Sequence, residues 1–318
     1  MYNIGVIGVG SLGKRHLESL CNSKLELNIY CYDINEHALD DFESKSKYNI
    51  YISIIKSFSQ LPKVMDFVIF AMTSKGRREV FDQLLANCYV KNILFEKVLF
   101  QKIEDYEHVN QRLNELNIKA WVNCSRRQMD SYQDLRKRLE HAKEMRIAIS
   151  GGEWGLACNA IHEIDLVEFL SGSRETFIEN MSLLPVVAES KRHGYKEVYG
   201  SLEGRSGKCS YFSISCMKDT QVPCIVTIST DVGHYIIFEN EQKMVYMEKD
   251  SGYTRKEQDF IIPYQSQMSQ YVMEDILLNG DCRLAEYDVS KRLHLEFIKP
   301  LIKFFNDNGW ENQSCPIT

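Results

Sequence analysis

Proline is scarce, six in 318 residues, and the six are dispersed, so no proline-rich linker divides the chain. The ten cysteines never stand as Cys-x-x-Cys, which removes the familiar thiolate spacing of metal sites, and no metal is expected. Met1-Tyr2-Asn3-Ile4 runs straight into a strand pattern, with neither a charged leader nor a cleavage site. Scattered thiols in that setting predict reduced cysteines in a cytoplasmic protein. No apolar run approaches the ~18 residues of a membrane span, so no membrane partner is expected. Positive charge is also thin. The net charge is −6, and Arg126-Arg127 and Arg136-Lys137-Arg138 are too short to form a basic face, which argues against nucleic acid as the main partner. What remains is ordinary for a globular protein: 44% hydrophobic and 26% charged residues, in a chain long enough for two domains and a sizeable core without disulfides.

The first 123 residues alternate apolar runs with helical spacing. Strands are expected at Ile4–Val9, Leu27–Tyr32, Asp66–Met72, Asn92–Phe95 and Ala120–Val122, with helices at Ser11–Leu20, Lys75–Ala86 and Ile103–Leu116. Strand–helix–strand order of this kind predicts a doubly wound parallel sheet, a Rossmann-like α/β domain. The texture then changes. Helices are expected at Asp130–Ala142 and Ala157–Leu170, and a strand-rich stretch runs from Thr176 to about Ile262, with turns at Glu203-Gly204, Ser206-Gly207 and Ser251-Gly252. Without long helices between them, these strands predict a mostly antiparallel sheet. Two helices close the chain, at Gln267–Leu278 and Val289–Phe305. The expected division is residues 1–123 and 124–318, with the terminal helix able to pack back on the first domain.

Gly8-Val9-Gly10-Ser11-Leu12-Gly13 joins the first strand to the first helix. In the pattern Gly-x-Gly-x-x-Gly the first glycine permits a tight turn, the second admits a pyrophosphate to the backbone, and the third lets helix and strand pack closely. The open amides and dipole of the helix start then favour phosphate charge, with Ser11 and Leu12 supplying part of that first turn. Asp33 lies 20 residues beyond Gly13, at the end of the second strand, where a carboxylate accepts from ribose hydroxyls and repels a 2′-phosphate. No arginine follows in Ile34-Asn35-Glu36, so NAD is favoured over NADP. Thr73-Ser74 ends the long apolar strand at the carboxyl edge, a second place for cofactor contact.

Further segments, taken together with this loop, carry a resemblance. They are Gly8 to His16 as Gly-x-Gly-x-x-Gly-x-x-His, Glu96-Lys97 after a strand, Asn123-Cys-Ser-Arg126-Arg127, and Gly151-Gly152 leading to Asn159-Ala-Ile-His162-Glu-Ile-Asp165-Leu166. The combination resembles the glucose–fructose oxidoreductase / inositol dehydrogenase / MocA family. The resemblance implies a Rossmann domain followed by an α/β domain with an open, largely antiparallel sheet. It implies hydride transfer at a hydroxyl or keto carbon of a sugar, cyclitol or related compound, and dimers or tetramers built through the open sheet. It also places Glu96 beside the cofactor and Lys97 beside the nicotinamide. Two positions depart from the family pattern. Val98 stands where the family has proline after Glu-Lys, and Cys158 stands where it often has aspartate, four residues before the histidine.

Hydride transfer from an alcohol needs a group to take the hydroxyl proton, and reduction needs the same group as an acid. By resemblance Lys97 is the first candidate, able to donate to the substrate oxygen and stabilise alkoxide charge; otherwise it is a surface lysine after a strand. His162 is the second. Positions 158, 162, 165, 166 and 169 share a helical face, so Asp165 stands near the imidazole, to orient it or to satisfy it as a buried histidine. Cys158 reads as a packed thiol. On the substrate side, Asn159 offers an amide, Trp154 stacks on a sugar ring or packs in a core, and Arg126 binds an anionic group or bridges the domains. The expected activity is that of an NAD-dependent dehydrogenase acting on a small carbohydrate-type substrate. The alternatives are a cofactor-binding regulator of the same fold that performs no chemistry, and an NAD-dependent enzyme that cleaves glycosidic bonds by transient oxidation.

Overall fold

The computed structural model describes residues 1–42, 49–310 and 313–318. The chain divides into two compact units. Residues 1–123, 263–291 and 318 form the first, and residues 124–262 with 292–317 form the second.

In the first unit β1 (Tyr2–Ile7), α1 (Ser11–Leu20), β2 (Leu27–Tyr32), β3 (Ile50–Ile55), β4 (Phe67–Phe70), α2 (Arg77–Asn87), β5 (Asn92–Phe95), α3 (Ile103–Glu115) and β6 (Lys119–Val122) follow in order. The sheet runs β6-β5-β4-β1-β2-β3, every pair parallel. The chain moves outward from β1 to β3, then crosses back to β4 and continues the other way. The carboxyl ends of β1 and β4 therefore flank the switch point where such sheets bind ligands. Two details depart from the sequence expectation. β3 has no counterpart in it, because its alternation is faint at a half-exposed edge. A short strand, Ala285–Glu286, also adds to β6 in the antiparallel sense.

All four residues of β4, Phe67-Val-Ile-Phe70, are buried, as befits a strand with both faces covered. The core on one face joins Ile4, Val6, Leu17, Leu20, Ile29 and Phe67 to Val272, Met273, Ile276 and Leu284 of the returning segment. Each such side chain contributes roughly 1.5–3 kcal/mol of burial. The first unit is thus completed by residues far along the chain.

The second unit is built on an eight-stranded sheet. In chain order its elements are α4 (Asp130–Arg138), β7 (Met145–Gly152), α5 (Leu156–Ser171), β8 (Thr176–Leu183), β9 (Gly200–Ser206), β10 (Cys209–Met217), β11 (Ile225–Thr230), β12 (Gly233–Phe238), β13 (Lys243–Glu248) and β14 (Lys256–Asp259). The spatial order is β8-β9-β10-β7-β11-β12-β13-β14, antiparallel except for β7 beside β10. β7 lies near the middle and was not anticipated as a strand. Its residues alternate buried and exposed, but the exposed ones are Arg146, Ala148 and Ser150, and it ends in two glycines, so its β-propensity is low. Among the described residues no helix is long and apolar enough to cross a membrane.

Candidate active site

The glycine loop can be judged position by position. Gly8 has φ +86°, and a Cβ there would lie 2.5 Å from the Met72 nitrogen. A Cβ on Gly13 would lie 2.0 Å from the Gly8 carbonyl oxygen, so α1 can approach β1 only with hydrogen at that position. Gly10 differs: a Cβ there meets nothing within 4 Å. The fold itself has no need of glycine at this position, and the space above it is open. No side chain caps α1 and no acidic residue lies in its first turn. The partial positive charge of that terminus is left for an anion, which fits a dinucleotide pyrophosphate.

Asp33 ties β2 to this loop. One carboxylate oxygen accepts from the Val9 N–H at 2.7 Å and the other from the Asn35 N–H at 2.9 Å. A cavity of about 430 Å³ opens beside it, with Val9, Tyr32, Asn35, His37, Ile55 and Lys56 in its wall. The basic side chains of that wall already have carboxylate partners: Lys56 meets Glu36 at 2.7 Å and His37 meets Asp40 at 2.9 Å. Each remaining oxygen lone pair of Asp33 can accept a hydroxyl.

Past β4, the Ser74 N–H donates to the Thr318 hydroxyl at 3.0 Å, which fixes the Thr73-Ser74 turn. Past β5, Lys97 is the one residue between Ile93 and Phe100 that is not buried. Glu96, just before it, turns inward. Its carboxylate accepts from His16 Nε2 at 2.9 Å and from the Asn123 amide, while His16 Nδ1 meets the Ser269 hydroxyl at 2.8 Å. Burial favours the protonated acid, but the hydrogen bond and charge of His16, the Asn123 amide and the charge of Lys97 outweigh it and hold Glu96 below its usual range. His16 is therefore a buried support for the strand end. Arg77, buried at the start of α2, is not among the residues that sequence patterns single out. Its guanidinium donates to the carbonyls of Glu96, Val98 and Leu99 at 2.6, 2.7 and 2.8 Å, and to that of Met72.

In the second unit the candidates gather on α5. The helix starts at Gly155 in the left-handed region without a side-chain cap of its own. The Glu197 carboxylate takes that role, accepting from the N–H groups of Ala157 and Val198. Fourteen of the helix residues are buried, and only Asn159 and His162 are not. Three apart, these two share a side. Asn159 donates to the Trp154 carbonyl at 2.9 Å, and the Trp154 indole donates to the Ser215 carbonyl at 2.9 Å. The Cys158 thiol lies 3.6 Å from the Ser190 hydroxyl and 3.8 Å from the Lys196 carbonyl. Asp165 is buried against Arg127, whose Nε donates to it at 2.8 Å; burial pushes its carboxyl up against the pull of Arg127.

Arg126 grips Glu239 through two hydrogen bonds of 2.8 and 2.9 Å and Glu163 at 2.9 Å, and the Tyr132 hydroxyl also donates to Glu239. One guanidinium thus serves one buried and one half-buried carboxyl. Burial, with Glu239 pushing the same way and Arg126 opposing, raises Glu163 to about 7, whereas Arg126 and Tyr132 hold Glu239 low in spite of burial. Glu163 Oε2 has no hydrogen-bond partner among the described residues. This cluster was not foreseen, since Glu163 and Glu239 carry no local sequence signal.

Comparison with known proteins accords with this geometry. The model of the GFO_IDH_MocA oxidoreductase family, described as an NAD-binding Rossmann fold, matches residues 2–124. Among solved structures, UDP-N-acetylglucosamine 3-dehydrogenase GnnA from Acidithiobacillus ferrooxidans superposes with a TM-score of 0.71 at 12% identity, covering 94% of this chain and 96% of that one. An oxidoreductase from Agrobacterium radiobacter in complex with NAD+, L-tartaric acid and magnesium gives 0.69 at 12%, covering 93% and 94%. A super-repressor mutant of Gal80p from Saccharomyces cerevisiae gives 0.70 at 11%, covering 96% of each. At these identities the likeness is one of fold. No curated protein matches the chain significantly. The matched residues 2–124 hold the glycine loop, Asp33, Thr73-Ser74 and Glu96-Lys97, so this part of the chain is similar to the NAD-binding Rossmann domain of that oxidoreductase family.

Proposed function

We propose that the protein is an NAD-dependent dehydrogenase or reductase acting on a hydroxyl or keto carbon of a sugar, cyclitol, sugar acid or sugar nucleotide. The observation that carries this reading is the exposure of Lys97 alone in an otherwise buried segment at the carboxyl end of a Rossmann strand. A bound nicotinamide supplies or accepts the hydride. Lys97 is the first candidate to hold or take the proton of the reacting oxygen, and His162 of α5 is the second. Gly8, Gly10, Ser11, Leu12 and Gly13 bind the pyrophosphate, Asp33 the ribose hydroxyls, and Thr73, Ser74 and Glu96 line or support the cofactor. Arg126, Trp154, Asn159 and Asp165 belong to the substrate side, with Arg126 and Asp165 acting through the ion pairs described above. NAD is preferred to NADP because Asp33 faces a cavity whose Lys56 and His37 are already paired. Homodimers or tetramers through the open sheet fit the exposure of Phe177, Tyr211 and Met217 on its strands.

A screen of sugars, cyclitols, sugar acids and sugar nucleotides, followed at the NADH absorbance band, tests this reading. Turnover is expected with at least one class. Lys97→Ala is expected to abolish it while NADH binding stays nearly intact, and surviving turnover would refute the role of Lys97. One observation favours a second reading, a cofactor-binding regulator: Cys158 replaces the family aspartate and its thiol is buried. Complete silence across the screen, with tight NADH binding, selects that reading.

A further inference from the structure

We propose that Arg77 is a positioning residue that sets the aim of Lys97. This rests on the reading of Lys97 as the proton-transfer group. Arg77 is 1% exposed, and its guanidinium donates to four backbone carbonyls, those of Met72, Glu96, Val98 and Leu99. Burying a guanidinium is costly unless its donors are met, and here Nη1 reaches three carbonyls while Nη2 reaches the fourth. Three of those carbonyls, from Glu96, Val98 and Leu99, bracket Lys97 on both sides. Holding the carbonyls on either side of Lys97 to one nitrogen, Nη1, restrains the backbone between them. Val98, Leu99 and Phe100 are fully buried, so the only side chain of this loop left to project is that of Lys97.

The fourth carbonyl belongs to Met72, immediately before Thr73-Ser74. The guanidinium therefore ties the turn after β4 to the turn after β5, two neighbouring strands of the parallel sheet. The turn after β4 is held again by the bond from the Ser74 N–H to Thr318. In this arrangement Arg77 never touches cofactor or substrate; it fixes the distance between the two turns that do. Lysine is a poor replacement, because its ammonium has no second nitrogen to reach the Met72 carbonyl while the first holds the turn after β5.

The test compares Arg77→Lys, Arg77→Met and Lys97→Ala in the full chain. Thermal unfolding and NADH fluorescence titration check folding and cofactor binding. Kinetics with the substrate from the screen separate kcat from KM. Acylation of lysines by N-hydroxysuccinimide acetate, mapped peptide by peptide with and without NADH, reports on Lys97 whatever its chemical role. For the two Arg77 variants, kcat is expected to fall about 100-fold, the scale of a misplaced catalytic group, with KM and the NADH Kd within about threefold. The acylation rate of Lys97 should change at least about threefold, with Lys14 and Lys119 unaltered as internal references. An unchanged kcat and unchanged Lys97 labelling in a folded variant overturn the proposal. So does a proportional loss of kcat, NADH affinity and melting temperature, or failure of both variants to fold, because Arg77 is then a general folding determinant. If Lys97→Ala keeps turnover, the assigned role of Lys97 fails instead, and labelling alone decides whether Arg77 aims it.

Discussion

Replacing Gly10 by alanine separates ligand binding from folding. The backbone at Gly10 has φ −65°, ordinary for any residue, and a Cβ there meets nothing within 4 Å. The unfolded chain loses freedom on such a change, which stabilises a protein by about 0.4–1 kcal/mol. In a chain of this size the melting temperature should hold or rise by about 1–3 °C. Cofactor binding should respond in the opposite way. The methyl group would occupy the space through which a pyrophosphate reaches the N–H groups of the first turn of α1. A hydrogen bond to a charged group is worth about 1.5–3 kcal/mol, so losing one weakens NADH about 10- to 100-fold. Fluorescence titration and thermal unfolding on one preparation read both effects. Gly13→Ala is the contrast: its Cβ would lie 2.0 Å from the Gly8 oxygen, backbone against side chain with no slack, so unfolding should come early even without cofactor. If Gly10→Ala binds NADH as tightly as the parent, the loop is not the pyrophosphate cradle. If it melts early, the space over Gly10 is not open.

Two further outcomes are expected. Asp33→Asn removes the charge that repels a 2′-phosphate and one of the two acceptors for the Val9 and Asn35 amides. Both cofactors should bind more weakly, while the NADPH-to-NADH affinity ratio rises about tenfold or more; an unchanged ratio by titration would show that Asp33 does not discriminate. Glu163 concerns stability. Its pKa rises from 4.5 to about 7 on folding, so the native state holds a proton that the unfolded chain releases over that window. Its contribution is fully present below about pH 4.5 and is lost as pH rises through 7, on the order of 3 kcal/mol in all. Glu163→Gln, which mimics the protonated acid, should flatten the fall in melting temperature between pH 5 and 8. A variant with the parent's slope would assign the pH dependence elsewhere.

Much of the first unit was legible because its signals are local. α1, β2 and β5 follow from apolar runs and the glycine loop, and their observed limits coincide with the expected ones. Asp33 was legible by spacing from Gly13. The supports of the site were not. The pairing of His16 with Glu96, the carbonyls gathered by Arg77, and the sharing of Arg126 by Glu163 and Glu239 all join residues distant in sequence, and nothing local marks them. β7 was missed because Ala, Ser and Gly dilute its alternation. On α5 the periodicity argument had little purchase, since a helix buried on nearly every side has no polar face to read. The exceptions, Asn159 and His162, were nonetheless among the candidates, found by motif and not by pattern.

The return of residues 263–291 to the first unit has a consequence for synthesis of the protein. Val272, Met273, Ile276 and Leu284 belong to the same core as Leu17 and Leu20 of α1, and His16 closes on Ser269. When residue 123 leaves the ribosome, α1 has its glycine loop but lacks the cover that the returning segment supplies. The second unit's sheet must be made, through Ile262, before that cover arrives. Until then the nascent first unit carries an exposed apolar stripe, a target for chaperones. A gene fragment ending at residue 123 would keep that stripe for good. A nucleotide-binding fragment of this protein therefore has to be built by splicing residues 263–291 onto 1–123 and not by simple truncation.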